Sequence, residues 1–154
     1  MARVIVDTWF AAHEGQVPDE TIRQRRAEWG YPASEQGWRR SIREADGVTS
    51  LVLVATDGDQ VVAVAASEVR GADCAEMEAL YVSVPYQRSG IGRRLLEAAI
   101  DHYRGLGILT LHIAVLAANR PARRFYERLG GQASSTRDGD DGLEIVYAWD
   151  SAKR

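Results

Sequence analysis

The chain reads Tyr86-Gln87-Arg88-Ser89-Gly90-Ile91-Gly92-Arg93 where two kinds of sequence pattern meet. The segment before it, Cys74–Val84, has the composition of a strand, and Pro85 ends that strand. The segment after it, Gly90–Arg104, carries an apolar stripe on one helical face, at Ile91, Leu95, Ala99 and Tyr103. The stretch therefore predicts a turn that leads from a strand into a helix.

A turn of this kind can bind an anion. The first N–H groups of a helix have no partner within the helix, and they lie at the positive end of its dipole. Gly90 and Gly92 have no Cβ, so an anion can come close to the backbone, and Arg88 and Arg93 add positive charge. The predicted ligand is a pyrophosphate. A tight turn without a ligand explains the glycine spacing equally well.

Two common nucleotide-binding motifs do not match this stretch. A Walker A loop requires Lys followed by Ser or Thr after its last glycine, and here Arg93-Arg94 follows Gly92. A dinucleotide-binding fingerprint requires a third glycine, and Leu95 stands at that position. The pattern therefore argues against an ATPase and against a nicotinamide-dependent dehydrogenase.

Further along the chain, the pattern alternates between strands and helices. Ile108–Leu116 is predicted as a strand, Pro121–Leu129 as a helix closed by Gly130, and Leu143–Trp149 as a last strand. Ser134–Gly142 is predicted as a polar loop. Because a strand–helix–strand crossover joins parallel strands, we expect Cys74–Val84 and Ile108–Leu116 to lie parallel.

The first part of the chain is predicted to be helical and then to form a hairpin. Helices are expected over Ala2–Ala12, from Pro18 onward, and from Ser34 to about Gly47 with Trp38, Ile42 and Ala45 facing inward. Leu51–Ala55 and Gln60–Val69 flank an Asp57-Gly58-Asp59 turn, which predicts an antiparallel pair. The fold class is therefore α/β, in the broad α+β sense, with a mixed, mostly antiparallel sheet flanked by helices.

Length and composition exclude several classes of protein. The 154 residues suit a single domain, residues 1–154, and the net charge of −3 without a basic cluster argues against a nucleic-acid partner. Cys74 is the only cysteine, which fits a reducing compartment. No apolar run approaches the roughly 18 residues of a membrane span, and the N-terminus lacks a secretory signal. We therefore expect a cytoplasmic protein without a membrane partner. No metal-ligand spacing of His or Cys occurs, so no metal is expected.

The motifs together resemble those of the GNAT superfamily of acetyl-CoA-dependent N-acetyltransferases. Leu80-Tyr81-Val82-Ser83 followed by Gln87-Arg88-x-Gly90-Ile91-Gly92 is similar to the family's acetyl-CoA motif, commonly written Q/R-x-x-G-x-G/A. Asn119-x-x-Ala122-x-x-Phe125-Tyr126-Glu127-x-Leu129-Gly130 is similar to its second motif. The resemblance covers roughly residues 50–149 and implies the GNAT fold, with its parallel strand pair splayed around acetyl-CoA. By this resemblance, residues 1–47 would form a helical region on the acceptor side, and residues 50–149 would form the sheet and the acetyl-CoA core.

The resemblance also implies which residues bind acetyl-CoA as a co-substrate. The backbone of Leu80, Tyr81 and Val82 would pair with pantetheine, and the N–H groups from Arg88 to Arg93 would hold the pyrophosphate. Asn119 would line the gap between the parallel strands. The full expected set is Leu80, Tyr81, Val82, Gln87, Arg88, Ser89, Gly90, Ile91, Gly92, Arg93, Asn119, Ala122 and Tyr126.

Three residues are implied in catalysis. Tyr126 corresponds to the tyrosine that often protonates the leaving thiolate in this family, although it could simply belong to the apolar face of its helix. Glu76 occupies the position where related enzymes often carry a base for the amine proton. Glu78, two residues on, shares its face of the strand and is a second candidate, and either glutamate could instead attract a cationic amine. Either glutamate could also be a solvated strand residue.

Two departures from the family pattern bear on the acceptor and on assembly. The family's first strand is either vestigial at Arg3–Val6 or missing, and a missing strand would leave a sheet edge open for a homodimer. Members similar to the ribosomal-protein alanine acetyltransferase carry a carboxylate on the strand that here reads His112-Ile113-Ala114-Val115, and alanine stands at the matching place.

These features predict transfer of acetyl to a primary amine of a small molecule. Transfer to a peptide or protein amine, or CoA binding without turnover, remain the alternatives. Trp9, Trp29, Tyr31 and Trp38 could form an acceptor pocket or pack the helices onto the sheet.

Overall fold

A computed structural model describes residues 1–150 of the chain. Their helices are α1 (Ala2–His13), α2 (Asp19–Glu28), α3 (Tyr31–Glu44), α4 (Ile91–Gly105) and α5 (Arg120–Arg128). Their strands are β1 (Ser50–Asp57), β2 (Gln60–Val69), β3 (Cys74–Val82), β4 (Thr110–Leu116), β5 (Gln132–Gly139) and β6 (Gly142–Asp150). A short 3₁₀ turn, Val84–Tyr86, leads from β3 towards α4.

The six strands form one sheet in the order β1-β2-β3-β4-β6-β5. Four of the five neighbouring pairs are antiparallel, and the pair β3–β4 is parallel. The predicted mixed, mostly antiparallel sheet is therefore confirmed, and so is the parallel pair across the α4 crossover.

The two faces of the sheet carry different helices. On one face, α4 and α5 pack through Leu96, Ile100 and Tyr126 against Met77 and Ile113 of the central strands. On the other face lie α1 and α2, in a core that contains Val6, Trp9, Phe10, Val17, Ile22 and Leu116 with Trp29 and Tyr81 packed against it. Alternate side chains of each strand point to opposite faces, so the same strands serve both cores.

A β-bulge in β3 shifts this alternation at the centre of the molecule. Ala79 pairs with Ala66 and Met77 with Ser67, so Glu78 is the extra residue without a partner on β2. As a result Met77 and Leu80, three residues apart, both face the core under α4, whereas Tyr81 faces α1.

The structure also corrects two elements. Residues 134–142 were predicted as a polar loop, but Gln132–Gly139 is a strand, β5, paired antiparallel with β6. Seven of its eight residues are exposed at the sheet edge, so the strand carries no alternation of apolar residues that the sequence could reveal. Helix α3 begins at Tyr31, with Pro32 in its first turn, and none of its residues is fully buried. Ile42, predicted to face inward, is 48% exposed.

The start of the chain is helical. Arg3–Val6 belongs to α1, so it is no vestigial strand, and no strand precedes β1 among residues 1–150. The outer edge of β1 ends the sheet. The homodimer expected from that edge stays a prediction. In the described part of the chain no helix is long and apolar enough to span a membrane.

Candidate active site

The two parallel strands separate halfway along their length. β3 and β4 pair from Cys74 and Thr110 to Met77 and Ile113, and beyond this point neither has a partner on its inner side. Their outer sides stay paired, because β3 continues along β2 to Val82 and β4 continues along β6 to Leu116. The result is an open gap between residues 78–82 of β3 and residues 114–116 of β4. Backbone groups on the inner edge of β3 can therefore pair with an extended ligand.

The predicted anion-binding turn lies directly beyond this strand edge. Gly90 is the N-cap of α4 with φ +86°, and Arg88 also has a positive φ, of 61°. No side chain of the described residues caps the helix, so its first N–H groups are available to a ligand. The turn is held from within, since Gln87 Nε2 donates to the Val82 carbonyl at 3.0 Å and Ser89 Oγ donates to the Tyr86 carbonyl at 2.5 Å.

The two glycines of the turn have different physical roles. Gly90 adopts a left-handed conformation that favours glycine, and a Cβ there would meet nothing within 4 Å. Gly92 has an ordinary conformation, but a Cβ there would lie 3.3 Å from Phe125 Cζ and 3.4 Å from Val82 Cγ2. Gly92 therefore allows the start of α4 to pack closely against α5 and the end of β3, a role that differs from the expected exposure of backbone to the anion.

Asn119 and Ala122 lie at the start of α5. Asn119 is buried and serves as the N-cap, because its side-chain oxygen accepts a hydrogen bond from the Ala122 N–H at 3.2 Å. The residue predicted to line the gap thus fixes the orientation of the helix that carries Tyr126.

Tyr126 is buried against aromatic side chains. Its ring lies 5.3 Å from Phe125, 5.9 Å from Tyr147 and 5.7 Å from Trp149, measured between ring centroids. Burial raises the pKa of the Tyr126 hydroxyl strongly, and nearby Tyr81 raises it further. Burial and the charge of Asp141 raise the pKa of Tyr81 to about 12. Tyr81 packs in the core with α1, whereas Tyr126 packs in the core under α4 on the other face of the sheet.

Glu76 and Glu78 lie on the same side of β3, since the Arg70 side chain contacts both of them. Arg137 of β5 forms a stronger contact with Glu76, with Nη1 2.9 Å from Oε1, and its Nε lies 2.8 Å from Glu144 Oε2. Together with Met77 and Ala114, these charged side chains line a pocket of about 400 Å³. The pocket lies where β3 and β4 begin to separate.

The sequence predicted neither arginine of this pocket. Arg70 was placed in a turn and Arg137 in a loop, and only the pairing of β5 with β6 brings Arg137 next to Glu76. Both arginines lie among other charged residues, Arg70 between Glu68 and Asp73 and Arg137 next to Asp138, so no local signal in the sequence singles them out.

The four aromatic residues of the first third do not form one pocket. Trp9 and Trp29 pack edge to face with ring centroids 5.1 Å apart. Trp38 packs in a separate core with Val4 and Ile5. Tyr31 is half-exposed and donates a hydrogen bond to Asp7. Packing of the helices onto the sheet explains their presence.

The chain belongs to the acetyltransferase (GNAT) family, whose model matches residues 9–131. The resemblance that the two motifs predicted is therefore confirmed.

Proteins with curated functions include partial relatives of two kinds. The [ribosomal protein bS18]-alanine N-acetyltransferase of Salmonella typhimurium is 36% identical over 91 residues, 59% of this chain and 61% of the relative. The mycothiol acetyltransferase of Nocardiopsis dassonvillei is 31% identical over 124 residues, 79% of this chain and 35% of the relative. The matched segments span less than two thirds of these relatives.

Solved structures share the fold over most of the chain. The PaiA N-acetyltransferase of Thermoplasma acidophilum, solved with coenzyme A, has a TM-score of 0.75 at 21% identity over 97% of this chain and 89% of the other. The ribosomal-protein-S18-alanine N-acetyltransferase of Escherichia coli has a TM-score of 0.60 at 31% identity, over 72% of this chain and 75% of the other.

Proposed function

We propose that this protein transfers the acetyl group of acetyl-CoA directly to a primary amine of a small-molecule acceptor. The observation that carries the proposal is the open gap between β3 and β4, which leads into the uncapped start of α4. Membership of the acetyltransferase family supports the same conclusion.

The end of β3 and the start of α4 would bind successive parts of an extended acetyl-CoA molecule. The backbone of Leu80, Tyr81 and Val82 on the inner edge of β3 would hydrogen-bond to the pantetheine amides, as a strand would, and the Val82 carbonyl already accepts a hydrogen bond from Gln87. The first N–H groups of α4 would bind the pyrophosphate, with Arg88 beside them. Arg93 Nε already lies 2.9 Å from Glu97 Oε1, so Arg93 would contribute less than Arg88 to pyrophosphate binding.

Tyr126 would act on the leaving group as a hydrogen-bond donor. In the reaction the amine nitrogen forms a bond with the thioester carbonyl carbon, and the carbon–sulfur bond breaks to release a thiolate. A thiol has a pKa of roughly 8.5, well below that of a buried tyrosine, so full proton transfer from Tyr126 to the thiolate is uphill. The raised pKa keeps the hydroxyl protonated, and a protonated hydroxyl can stabilise the developing charge.

Glu76 would receive the proton of the attacking amine. Its side chain is 24% exposed and lines the pocket beside the gap, which supports this role. Glu78 is half-exposed at the bulge and would serve to attract the amine.

Replacing Tyr126 with Phe tests the proposal. The variant is expected to lose about 10²-fold in kcat, since one donor to a developing negative charge is removed, while its affinity for CoA stays unchanged. The measurement is thiol release from acetyl-CoA over a panel of small primary amines, with CoA binding followed by thermal shift.

Tyr103→Phe is the matched control. Tyr103 is also buried, and its hydroxyl donates to Ser67 Oγ of β2 at 3.0 Å, whereas the gap lies on the other side of β3, between β3 and β4. We expect this variant to keep its kcat and to lose only about 1 kcal/mol of stability. Equal kcat values for Tyr126→Phe and the wild type would remove Tyr126 from the mechanism. Absence of thiol release with every amine, despite CoA binding, would favour a CoA-binding module.

A peptide N-terminus is the second candidate acceptor. The identity with the bS18-alanine enzymes favours it. Ala114, which stands where those enzymes carry a carboxylate, lines the pocket here and favours the small-molecule acceptor. Peptides with an N-terminal alanine, included in the same amine panel, distinguish the two.

A further inference from the structure

One row of backbone groups on β1 points away from β2, at the outer edge of the sheet. The Val69 N–H donates to the Thr49 carbonyl at 2.8 Å, so the backbone groups of Thr49 face β2. In an antiparallel pair the residues of a strand face the partner alternately, and the β1–β2 register is regular up to Ala55. The residues whose backbone groups face outward are therefore Ser50, Val52 and Val54.

The turn before β1 occupies the first of these positions. Asp46 Oδ1 accepts a hydrogen bond from the Ser50 N–H at 3.0 Å, and the Gly47 N–H donates to the Ser50 carbonyl at 3.0 Å. Among residues 1–150, no group bonds to the outward N–H and C=O groups of Val52 or Val54. The free edge therefore presents two donors and two acceptors.

This edge lacks the features that usually prevent strands from pairing edge to edge. Residues 50–56 include no charge and no proline, and the register shift of β1 comes only after Ala55. The opposite edge of the sheet, β5, carries Arg137 and Asp138, and its register shifts after Ala133. Of the two edges, β1 is therefore the one suited to pairing with another strand.

Exposed apolar side chains lie beside the free backbone groups. Val54 is 44% exposed, on the sheet face where Val52 packs with Trp38 of α3. Ile42, one turn after Trp38 on the same helical face, is 48% exposed. A strand bound at this edge would therefore gain apolar contacts as well as backbone hydrogen bonds.

We propose that a second copy of this chain occupies the edge, with the two β1 strands antiparallel about a twofold axis at Leu53. Val52 of each copy then lies opposite Val54 of the other, and all the free groups are paired. An axis at Val52 would place Val54 opposite Ser50, whose groups are already bonded. An axis at Val54 would place Val52 opposite Thr56, beyond the register shift.

The limits of the free edge favour a second copy over an unrelated peptide. The Asp46–Gly47 turn closes one end and the register shift closes the other, so a longer extended peptide would run past both. A second β1 fits, because its own register shift falls opposite the turn. Asp57, the one charged residue of β1, then lies opposite Thr49 and meets no like charge.

The pairing is independent of the proposed function. The outer edge of β1 is two strands away from the gap between β3 and β4, so each copy keeps its own gap. Acetyl transfer could fail with the dimer intact, and the dimer could fail with acetyl transfer intact.

The mass of the full-length protein in solution tests the surface, by analytical ultracentrifugation over a concentration series. We expect a dimer for the wild type. Val54→Lys should raise the dimer dissociation constant by at least about tenfold, because a charge at the edge opposes pairing. Leu109→Lys is the control, since Leu109 is 51% exposed and lies outside β1, and it should leave the dimer unchanged. Thermal shift with CoA checks that each variant is folded.

Cysteine substitutions test the register. In a Cys74→Ser background, Leu53→Cys should form a disulfide-linked dimer on oxidation with diamide, because the two copies of residue 53 face each other with Cα atoms about 4.5 Å apart. Ala55→Cys, on the same sheet face, is the matched control. Its two copies are offset by four residues, about 13 Å, which is too far for a disulfide.

Three results would overturn the proposal. The first is a monomeric wild type at every concentration, a comparison that requires no variant to fold. The second is a dimer that Val54→Lys and Leu109→Lys affect equally. The third is cross-linking of the Ala55 variant to the same extent as the Leu53 variant, or no cross-linking of the Leu53 variant.

Discussion

At the scale of single residues, Gly131 shows how little space remains between α5 and the last strand. A Cβ at this position would lie 2.6 Å from Trp149 Cζ2 and 3.0 Å from the Tyr126 carbonyl oxygen. The Gly131 N–H donates to that same carbonyl at 2.9 Å, and Trp149 Nε1 donates to the Leu129 carbonyl at 2.9 Å. The backbone at Gly131 thus holds the end of α5 against Trp149, whose ring contacts Tyr126.

Gly131→Ala is expected to destabilise the protein by about 1–3 kcal/mol, because the added methyl group has no room and Trp149 must move. The measurement is the free energy of unfolding in urea. Gly37→Ala is the control, since a Cβ there meets nothing within 4 Å and alanine favours the α3 helix by up to about 1 kcal/mol. A Gly131 variant as stable as the Gly37 variant would show that the junction can relax.

Local motifs predicted where two parts of the candidate site lie in the fold, and the roles of their residues stay predictions. The turn at residues 87–92 and the helix that carries Ala122 and Tyr126 could be predicted because each corresponds to a short, contiguous sequence pattern. The roles of Gly92 and Asn119 could not be assigned, because they depend on Phe125 and on the helix start that they contact. Arg137 was missed altogether, since 61 residues separate it from Glu76 along the sequence.

At the scale of elements, the turn between β5 and β6 is attached to α2. Arg25 Nη2 of α2 lies 2.9 Å from Asp141 Oδ1, and the two side chains are only 16% and 15% exposed. The Arg25 guanidinium also stacks over Trp29, 4.8 Å from its ring centroid. The hairpin that carries Arg137 and Glu144 is thereby fixed to α2.

A double-mutant cycle with Arg25→Gln and Asp141→Asn measures this attachment. We expect a coupling energy of about 1–3 kcal/mol from urea unfolding, because the pair is largely shielded from water. The exposed pair Arg40–Glu44 within α3 is the control, and its coupling should be smaller because water screens the two charges. Equal coupling in the two pairs would mean that the hairpin is held by its backbone pairing with β6 alone.

The order of helices and strands was largely predictable, and the exception has a physical cause. Strands such as β2, buried in its middle, show their pattern in the sequence through apolar residues. β5 is held by backbone hydrogen bonds to β6 at the sheet edge, and its exposed side chains Ser134, Ser135, Thr136 and Arg137 are those of a loop.

At the scale of the whole molecule, two groups link stability to pH. Burial lowers the pKa of His13 below its ordinary 6.5, although the Trp9 carbonyl and Asp141 oppose the shift. The Thr49 hydroxyl, together with the N–H groups of Ser50, Val48 and Thr49, lowers the pKa of Asp46 well below its ordinary 3.8. Each group binds protons more readily in the unfolded chain than in the folded one.

The free energy of unfolding should therefore be highest above pH 6.5 and fall in two steps as the pH decreases. The first loss begins near pH 6.5 and continues through the lowered pKa of His13, and the second begins near pH 3.8 and belongs to Asp46. Thermal unfolding from pH 8 to pH 3 checks this. His13→Gln should flatten the first step and Asp46→Asn the second, and a first step of equal size in the His13 variant would assign it to another group.

The sequence by itself determined the family, the order of the elements apart from β5, the parallel β3–β4 pair and the turn before α4. These features follow from patterns within a few residues or from the handedness of one crossover. Only the tertiary structure decided where β3 and β4 separate, that Glu78 forms a bulge, and that Arg70 and Arg137 lie beside Glu76, Glu78 and Glu144 in one pocket. Those facts depend on strands paired across long stretches of chain, and no local pattern encodes which side chains such pairing brings together.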